Sequence, residues 1–129
     1  MPDKSVTNEL SRADISFILT ALEALKEDLV ESLANEATRE SARFHIDLIF
    51  SVKEKLENRE VQFSDDECRV MYVAALEMRK FMNKILDEKK SSEYDREMAK
   101  STLRSANAML RFLRKTFIAN GIDVDLYNV

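Results

Sequence analysis

One histidine is the residue of this chain best suited to acid–base chemistry near neutral pH. His45 is the only histidine, and Arg39 precedes it with five residues between them. A histidine can act as a general acid or base, and an arginine can hold a phosphate oxygen. On a helix, however, His45 lies on the same side as Val52 and Leu56, which are apolar. We therefore expect a partly buried histidine with one hydrogen-bond partner and keep catalysis as the alternative.

The spacing of Arg39 and His45 resembles the Arg-x4–6-His signature of HEPN-type ribonucleases, which are small helical bundles and often dimers. This resemblance covers seven residues and implies metal-independent RNA cleavage, with His45 as the acid–base group and Arg39 binding the phosphate. The chain departs from that family at Glu40, where a small polar residue is usual. A lone histidine on a second helix is also similar to histidine phosphotransfer domains, but Asp47 and Leu48 follow it here, without the usual lysine.

Neither a metal site nor an activated nucleophile is indicated by the sequence. Carboxylate-bridged metal sites in helical bundles use Glu-x-x-His pairs that face the core, and the residue three before His45 is Ala42. Cys68, the only cysteine, follows the acids 65–67, which do not favour a reactive thiolate. We expect no metal and no cofactor, and we expect Cys68 to be a small packed residue.

The last amphipathic segment carries a basic stripe opposite its apolar face, within about 100° of arc. The stripe consists of Arg96, Lys100, Arg104, Arg111, Arg114 and Lys115. Acids come first in this segment and bases follow, an order that complements the helix dipole. We expect the basic stripe to solvate the helix, and the alternative is recognition of an acidic partner. Nucleic acid is not favoured as a partner, because no aromatic residues alternate with these lysines and arginines to stack on nucleobases.

Four amphipathic segments fill nearly all of the 129 residues and would position these side chains. The chain has one glycine and one proline, Gly121 and Pro2, and neither interrupts a segment. Strong helix formers dominate a composition that is 45% hydrophobic and 34% charged, which favours an ordered helical protein. The sequence has no signal-peptide run and no apolar stretch of membrane-spanning length, so a cytoplasmic location without membrane contact is expected.

Capping residues locate the first two helices. The first is predicted to begin after Ser11, with an acid at the third helical position, and to run to about Leu33. A short turn near residues 34–37 then precedes the second helix, for which Asn35 and Thr38 are both candidate caps. One bent helix across this region is the alternative, because no glycine or proline breaks it.

The third helix has the clearest start in the chain. Phe63 and Ser64 precede a run of acids in which Glu67 completes a capping box, and the helix should reach Asp87. Its predicted buried face consists of Met71, Ala74, Ala75, Met78, Phe81, Met82 and Ile85.

The fourth helix is predicted to start after Ser91 or Ser92 and to run to about Ala119. Gly121 then provides a left-handed cap, and Ile122 is placed to fold back on the last turn. Its predicted apolar face consists of Met98, Leu103, Ala106, Met109, Leu110, Leu113 and Phe117.

Together these features predict an all-α, antiparallel up-down-up-down four-helix bundle at residues 11–121, with an N-terminal tail at 1–10 and a C-terminal tail at 122–129. We expect a protein–protein interaction or regulatory module without catalytic activity. Its partner would be another protein or a second copy. Several apolar residues lie off the main stripes and favour a homodimer that covers them: Phe17, Ala21, Phe44, Val73 and Leu76.

Overall fold

Four helices form the fold, and each limit that the sequence predicted lies within a few residues of the observed one; no end was predicted for the second helix. The computed structural model describes residues 4–5 and 10–122. In chain order its elements are β1 (Lys4–Ser5), α1 (Arg12–Ser32), α2 (Arg39–Glu57), β2 (Gln62–Phe63), α3 (Asp65–Asp87) and α4 (Glu93–Ala119).

Serine caps start three of the helices, as predicted. The hydroxyl oxygens of Ser11 and Ser64 each accept a hydrogen bond of 3.1 Å from the amide three residues later. The acid at that third position, Asp14 or Glu67, accepts a bond from the serine amide in return, which completes both capping boxes. Ser92 caps α4, since its hydroxyl oxygen accepts a hydrogen bond of 3.0 Å from the Asp95 amide.

The turn between α1 and α2 is confirmed, so the alternative of one bent helix is wrong. Thr38 stands at the N-cap position of α2 but makes no side-chain capping bond there. Its hydroxyl instead donates to the Ser32 carbonyl at 2.8 Å, and Arg39 Nε donates to the Leu33 carbonyl at 2.9 Å. Both bonds go to carbonyl groups at the C-terminus of α1, where the helical pattern of amide partners has ended.

The end of α4 confirms the predicted glycine cap. Gly121 has φ 76°, and its amide donates to the Ile118 carbonyl at 3.0 Å. The Ile122 amide donates to the Phe117 carbonyl at 2.8 Å, and the Ile122 side chain is buried. These two bonds define a Schellman motif. The rest of the predicted C-terminal tail, 123–129, lies outside the described residues.

Only part of the predicted N-terminal tail is described. β1 pairs antiparallel with β2, with Lys4 opposite Phe63. This two-residue pairing lies beside the start of α3, since β2 immediately precedes the Ser64 cap. Residues 1–3 and 6–9 of the tail lie outside the described part of the chain.

The helices pack as an all-α four-helix bundle in which α3 is central. Helix α3 contacts each of the other three extensively, whereas α4 lies mainly on α3 and meets α1 at only a few points. Because α3 has neighbours on several sides, four of the five predicted off-stripe residues are wholly or partly covered within one chain. Ala21 and Leu76 are buried, Phe17 and Val73 are partly buried, and Phe44 is exposed.

Two residues of the predicted apolar faces are not in the core. Phe81 on α3 is 58% exposed and Met98 on α4 is 53% exposed. Their placement on a buried face was therefore wrong. The stripes continue to these positions, but α1 and α4 make few contacts, so no helix covers them.

Candidate functional site

An apolar groove of about 440 Å³ lies between α1 and α4, with α3 as its floor. Ala21 and Leu25 of α1 and Met78 of α3 are buried at its base. Phe17 and Met82 are partly buried at its sides. Phe81 also lines it, so the exposed apolar surface of the molecule includes a concave site.

Small side chains on the facing walls explain why the groove is open. On α1, Thr20 and Ala24 line the groove and are exposed. On α4, the lining residue is Thr102. Three small side chains cannot fill the space between two helices packed on a common third, because interhelical distance depends on the residues at the contact.

The apolar surface continues along α4 beyond Thr102. Met98 precedes Thr102 by one turn, and Tyr94 precedes Met98 by one more, so the three lie along one edge of the helix. Tyr94 is 72% exposed. Because the helices alternate in direction, this edge adjoins the end of α1, where Asp28 also lines the groove.

Carboxylates make up an acidic rim around the groove: Glu27 and Asp28 on α1 and Glu77 on α3. Among the described lining residues none is a lysine or arginine. The last turn of α1 itself has no basic residue, and the cation at this helix end is Arg39, which donates to the Leu33 carbonyl outside the groove lining. Glu77 is 3.4 Å from Lys80 in an exposed pair, which is a weak interaction. The charged side chains among the described lining residues are therefore all acidic.

A larger depression of about 520 Å³ between α1 and α2 has a different character. Glu23 lines this depression, and its carboxylate oxygens lie 2.8 Å from the Nζ atoms of Lys26 and Lys53. Hydrogen bonds from Lys26 and Lys53 lower the pKa of Glu23 to about 2. Glu23 and Lys53 form an ion pair between α1 and α2, and Lys26 pairs with the same carboxylate. We therefore assign this depression a structural role.

The most buried charge in the described residues is Glu67, which is 4% exposed. Its Oε1 accepts bonds of 2.8 Å from Lys55 Nζ and from the Ser64 amide, and its Oε2 accepts one of 2.6 Å from Ser51 Oγ. Burial alone raises the pKa of Glu67, but these hydrogen bonds outweigh it and hold the pKa below its usual value. The cluster joins α2 to the start of α3, and the sequence predicted only its capping bond.

His45 lies at a very small cleft between α2 and α3. It is partly buried, and its Nδ1 is 2.7 Å from the Ser41 carbonyl oxygen. Because a carbonyl only accepts, Nδ1 must carry the proton. The ring packs edge-on against Phe44, with centroids 5.4 Å apart. The adjoining cleft holds about 30 Å³, far less than the groove between α1 and α4.

Arg39 does not share a site with His45. Its guanidinium bonds to the Leu33 carbonyl, at the end of α1. Six residues along a helix also separate the two by about 9 Å of rise and about 120° of rotation. The structure therefore gives the two residues different neighbours.

The basic stripe divides into residues with different surroundings. Arg96 donates to the carbonyl oxygens of Leu86 at 3.1 Å and Glu88 at 2.8 Å, so it caps the C-terminus of α3. Lys100 pairs with Glu97 at 3.5 Å. The remaining members are Arg104, Arg111 and Lys115, which are exposed, and Arg114, which is partly buried.

Among the described residues, no group of three or more histidine, cysteine or acidic side chains could hold a metal ion. No described helix has the length and apolar character needed to span a bilayer. No family model matches the chain, and comparisons with curated proteins and with solved structures gave no match.

Proposed function

We propose that this protein functions by binding another protein, and that the groove between α1, α3 and α4 is its binding surface. The observation that carries the proposal is the exposure of Phe81, which lines the groove, together with that of Met98, which lies one turn from the lining residue Thr102 on α4. Both belong to the apolar stripes of their helices, yet neither is covered by the chain that the structure describes. Covering a phenylalanine side chain fully is worth roughly 1.5–3 kcal/mol, so a partner that fills the groove gains binding energy there.

The shape and lining of the groove favour a protein over a small molecule. Small-molecule sites combine apolar walls with a few convergent polar groups that fix one orientation. Here the polar groups of the described lining are the two threonine hydroxyls and the carboxylates of the acidic rim. An apolar floor with a charged rim is the usual composition of a protein-binding surface.

A second copy of the chain is the other occupant that the sequence predicts. The burial of Ala21 and Leu76 removes part of the reason for a homodimer, because the monomer already covers them. A regulatory role would follow from whichever partner occupies the groove.

The test uses the full chain, immobilised and exposed to extract from its host cells, with bound proteins identified by mass spectrometry. Wild type is compared with Phe81→Ser and with the control Phe50→Ser, which removes the same side chain from α2 at a similar exposure of 54%. We expect a partner that both wild type and the control retain and that Phe81→Ser binds about tenfold more weakly, measured by calorimetry with purified components. Equal binding by all three forms would show that the groove is not the binding surface.

A further inference from the structure

We infer that the occupant of the groove is an amphipathic helix of another protein, with lysine or arginine residues beside its apolar stripe. This inference rests on the proposed function and specifies the chemistry of the partner. Three features of the described residues carry it: the length of the groove, its apolar floor and its acidic rim.

The length of the groove suits a short helix. Its α1 wall extends from Phe17 to Asp28, which are eleven residues and therefore about 16 Å apart along the helix axis. That length corresponds to about three turns of a docked helix. A helix that binds in this way presents apolar anchors at positions i, i+3 or i+4, and i+7. In this groove those anchors would contact Met78, Phe81 and Met82.

The charges around the groove select a basic helix. Glu27, Asp28 and Glu77 flank the apolar floor, and no lysine or arginine is among the described lining residues. A helix that brought acidic residues to the rim would meet the like charges of these carboxylates. Lysine or arginine beside the apolar stripe would meet opposite charges there.

Surfaces of this chain itself fit the groove less well. The basic stripe of α4 has the required charge, but Ile118 is the only exposed large apolar side chain of the described residues that lies within its arc. The sequence at 123–129 contains Asp123 and Asp125 and no basic residue. Neither segment combines apolar anchors with flanking bases, so the complementary partner is a different protein.

The test uses two designed peptides of about 18 residues, long enough to form a helix. They share the same leucine stripe and differ only at the flanking positions, which are lysine in one and glutamate in the other. Binding of each fluorescently labelled peptide to the full chain is measured by anisotropy at two salt concentrations. We expect the lysine peptide to bind at least tenfold more tightly than the glutamate peptide, with an affinity that falls as salt rises.

Two charge variants locate the effect. The rim variant combines Glu27→Gln, Asp28→Asn and Glu77→Gln. The control variant, Glu40→Gln, Asp47→Asn and Glu54→Gln, removes three exposed charges from the outer face of α2. Both variants change the net charge equally. We expect the rim variant to bind the lysine peptide about tenfold more weakly than wild type, and the control variant to bind it as wild type does.

Several results would overturn the inference. These are equal binding of the two peptides, no binding of the lysine peptide at its highest soluble concentration, or equal loss in the rim and control variants. A wild-type dimer that Phe81→Ser converts to monomer would identify a second copy as the occupant. If the peptides bind equally while the cellular partner is still lost with Phe81→Ser, the groove remains the binding surface and only its charge selectivity is disproved.

Discussion

At the scale of single residues, Glu67 is the charged side chain whose removal should cost most. It caps α3, pairs with Lys55 and accepts a bond from Ser51, all from a buried position. We expect Glu67→Gln to lower the unfolding free energy by about 2–3 kcal/mol, less than a fully buried pair would lose, because Lys55 is partly exposed. Urea unfolding of both proteins at neutral pH measures this difference.

The pH dependence of that difference follows from the lowered pKa of Glu67. In the unfolded chain Glu67 has its usual pKa of 4.5, and in the folded chain its pKa is lower. As the pH falls, the unfolded chain therefore binds a proton more readily than the folded chain does. The stabilisation by ionised Glu67 is therefore complete above about pH 5.5 and decreases as the pH falls through 4.5 towards the folded-state pKa. The control is Glu54→Gln, which replaces an exposed carboxylate on α2. A wild-type advantage that grows on acidification would contradict the assignment.

His45 is expected to have a structural role, with its Nδ1 bonded to the Ser41 carbonyl. His45→Gln keeps a donor at a similar position, so it should cost about 1 kcal/mol or less. We expect no metal-independent RNA cleavage by the wild-type protein. The measurement is incubation of labelled RNA with EDTA-treated protein. Cleavage that disappears in both Arg39→Ala and His45→Ala would support the ribonuclease alternative instead.

At the scale of the helices, Arg96 differs from the other members of the basic stripe. Its two bonds to the carbonyl oxygens of Leu86 and Glu88 connect the start of α4 to the end of α3. We expect Arg96→Gln to cost about 1–2 kcal/mol, since hydrogen bonds from a charged donor are lost at a helix end. Arg104→Gln, on an exposed position, should change stability by a few tenths of a kcal/mol. Thermal or urea unfolding separates the two, and equal effects would contradict the capping role of Arg96.

At the scale of the whole molecule, the arrangement of the helices decides what is left to bind. Helix α3 has neighbours on several sides, while α4 lies on α3 and leaves the groove beside α1 uncovered. Because the proposed occupant is a different protein, we expect Phe81→Ser and wild type to have the same mass by light scattering. That expectation holds whether the purified chain is the 14.9 kDa monomer or a dimer formed at another surface.

The sequence by itself predicted the helices and most of their limits, and it left open the turn near residues 34–37 and the choice between Ser91 and Ser92. Ser11, Ser64 and Ser92 cap helix starts, and Gly121 ends α4, because these signals act within one or two turns of chain. The end of α2 gave no such signal. Arg59 takes a left-handed φ of 56° there, a conformation that glycine or asparagine usually marks.

Only the tertiary structure decided which apolar residues are covered. Hydrophobic periodicity shows that Phe81 and Met98 belong to apolar faces, but it does not show whether a neighbouring helix reaches them. That depends on the distance between α1 and α4. Side chains such as Thr20 and Ala24 influence this distance only once the helices have packed against one another. Likewise, the sequence places Arg96 in the basic stripe of α4. Its role as a cap of α3 arises because the end of α3 lies within hydrogen-bonding distance of it. The groove and its acidic rim arise from contacts between segments far apart in the chain, which local patterns do not encode.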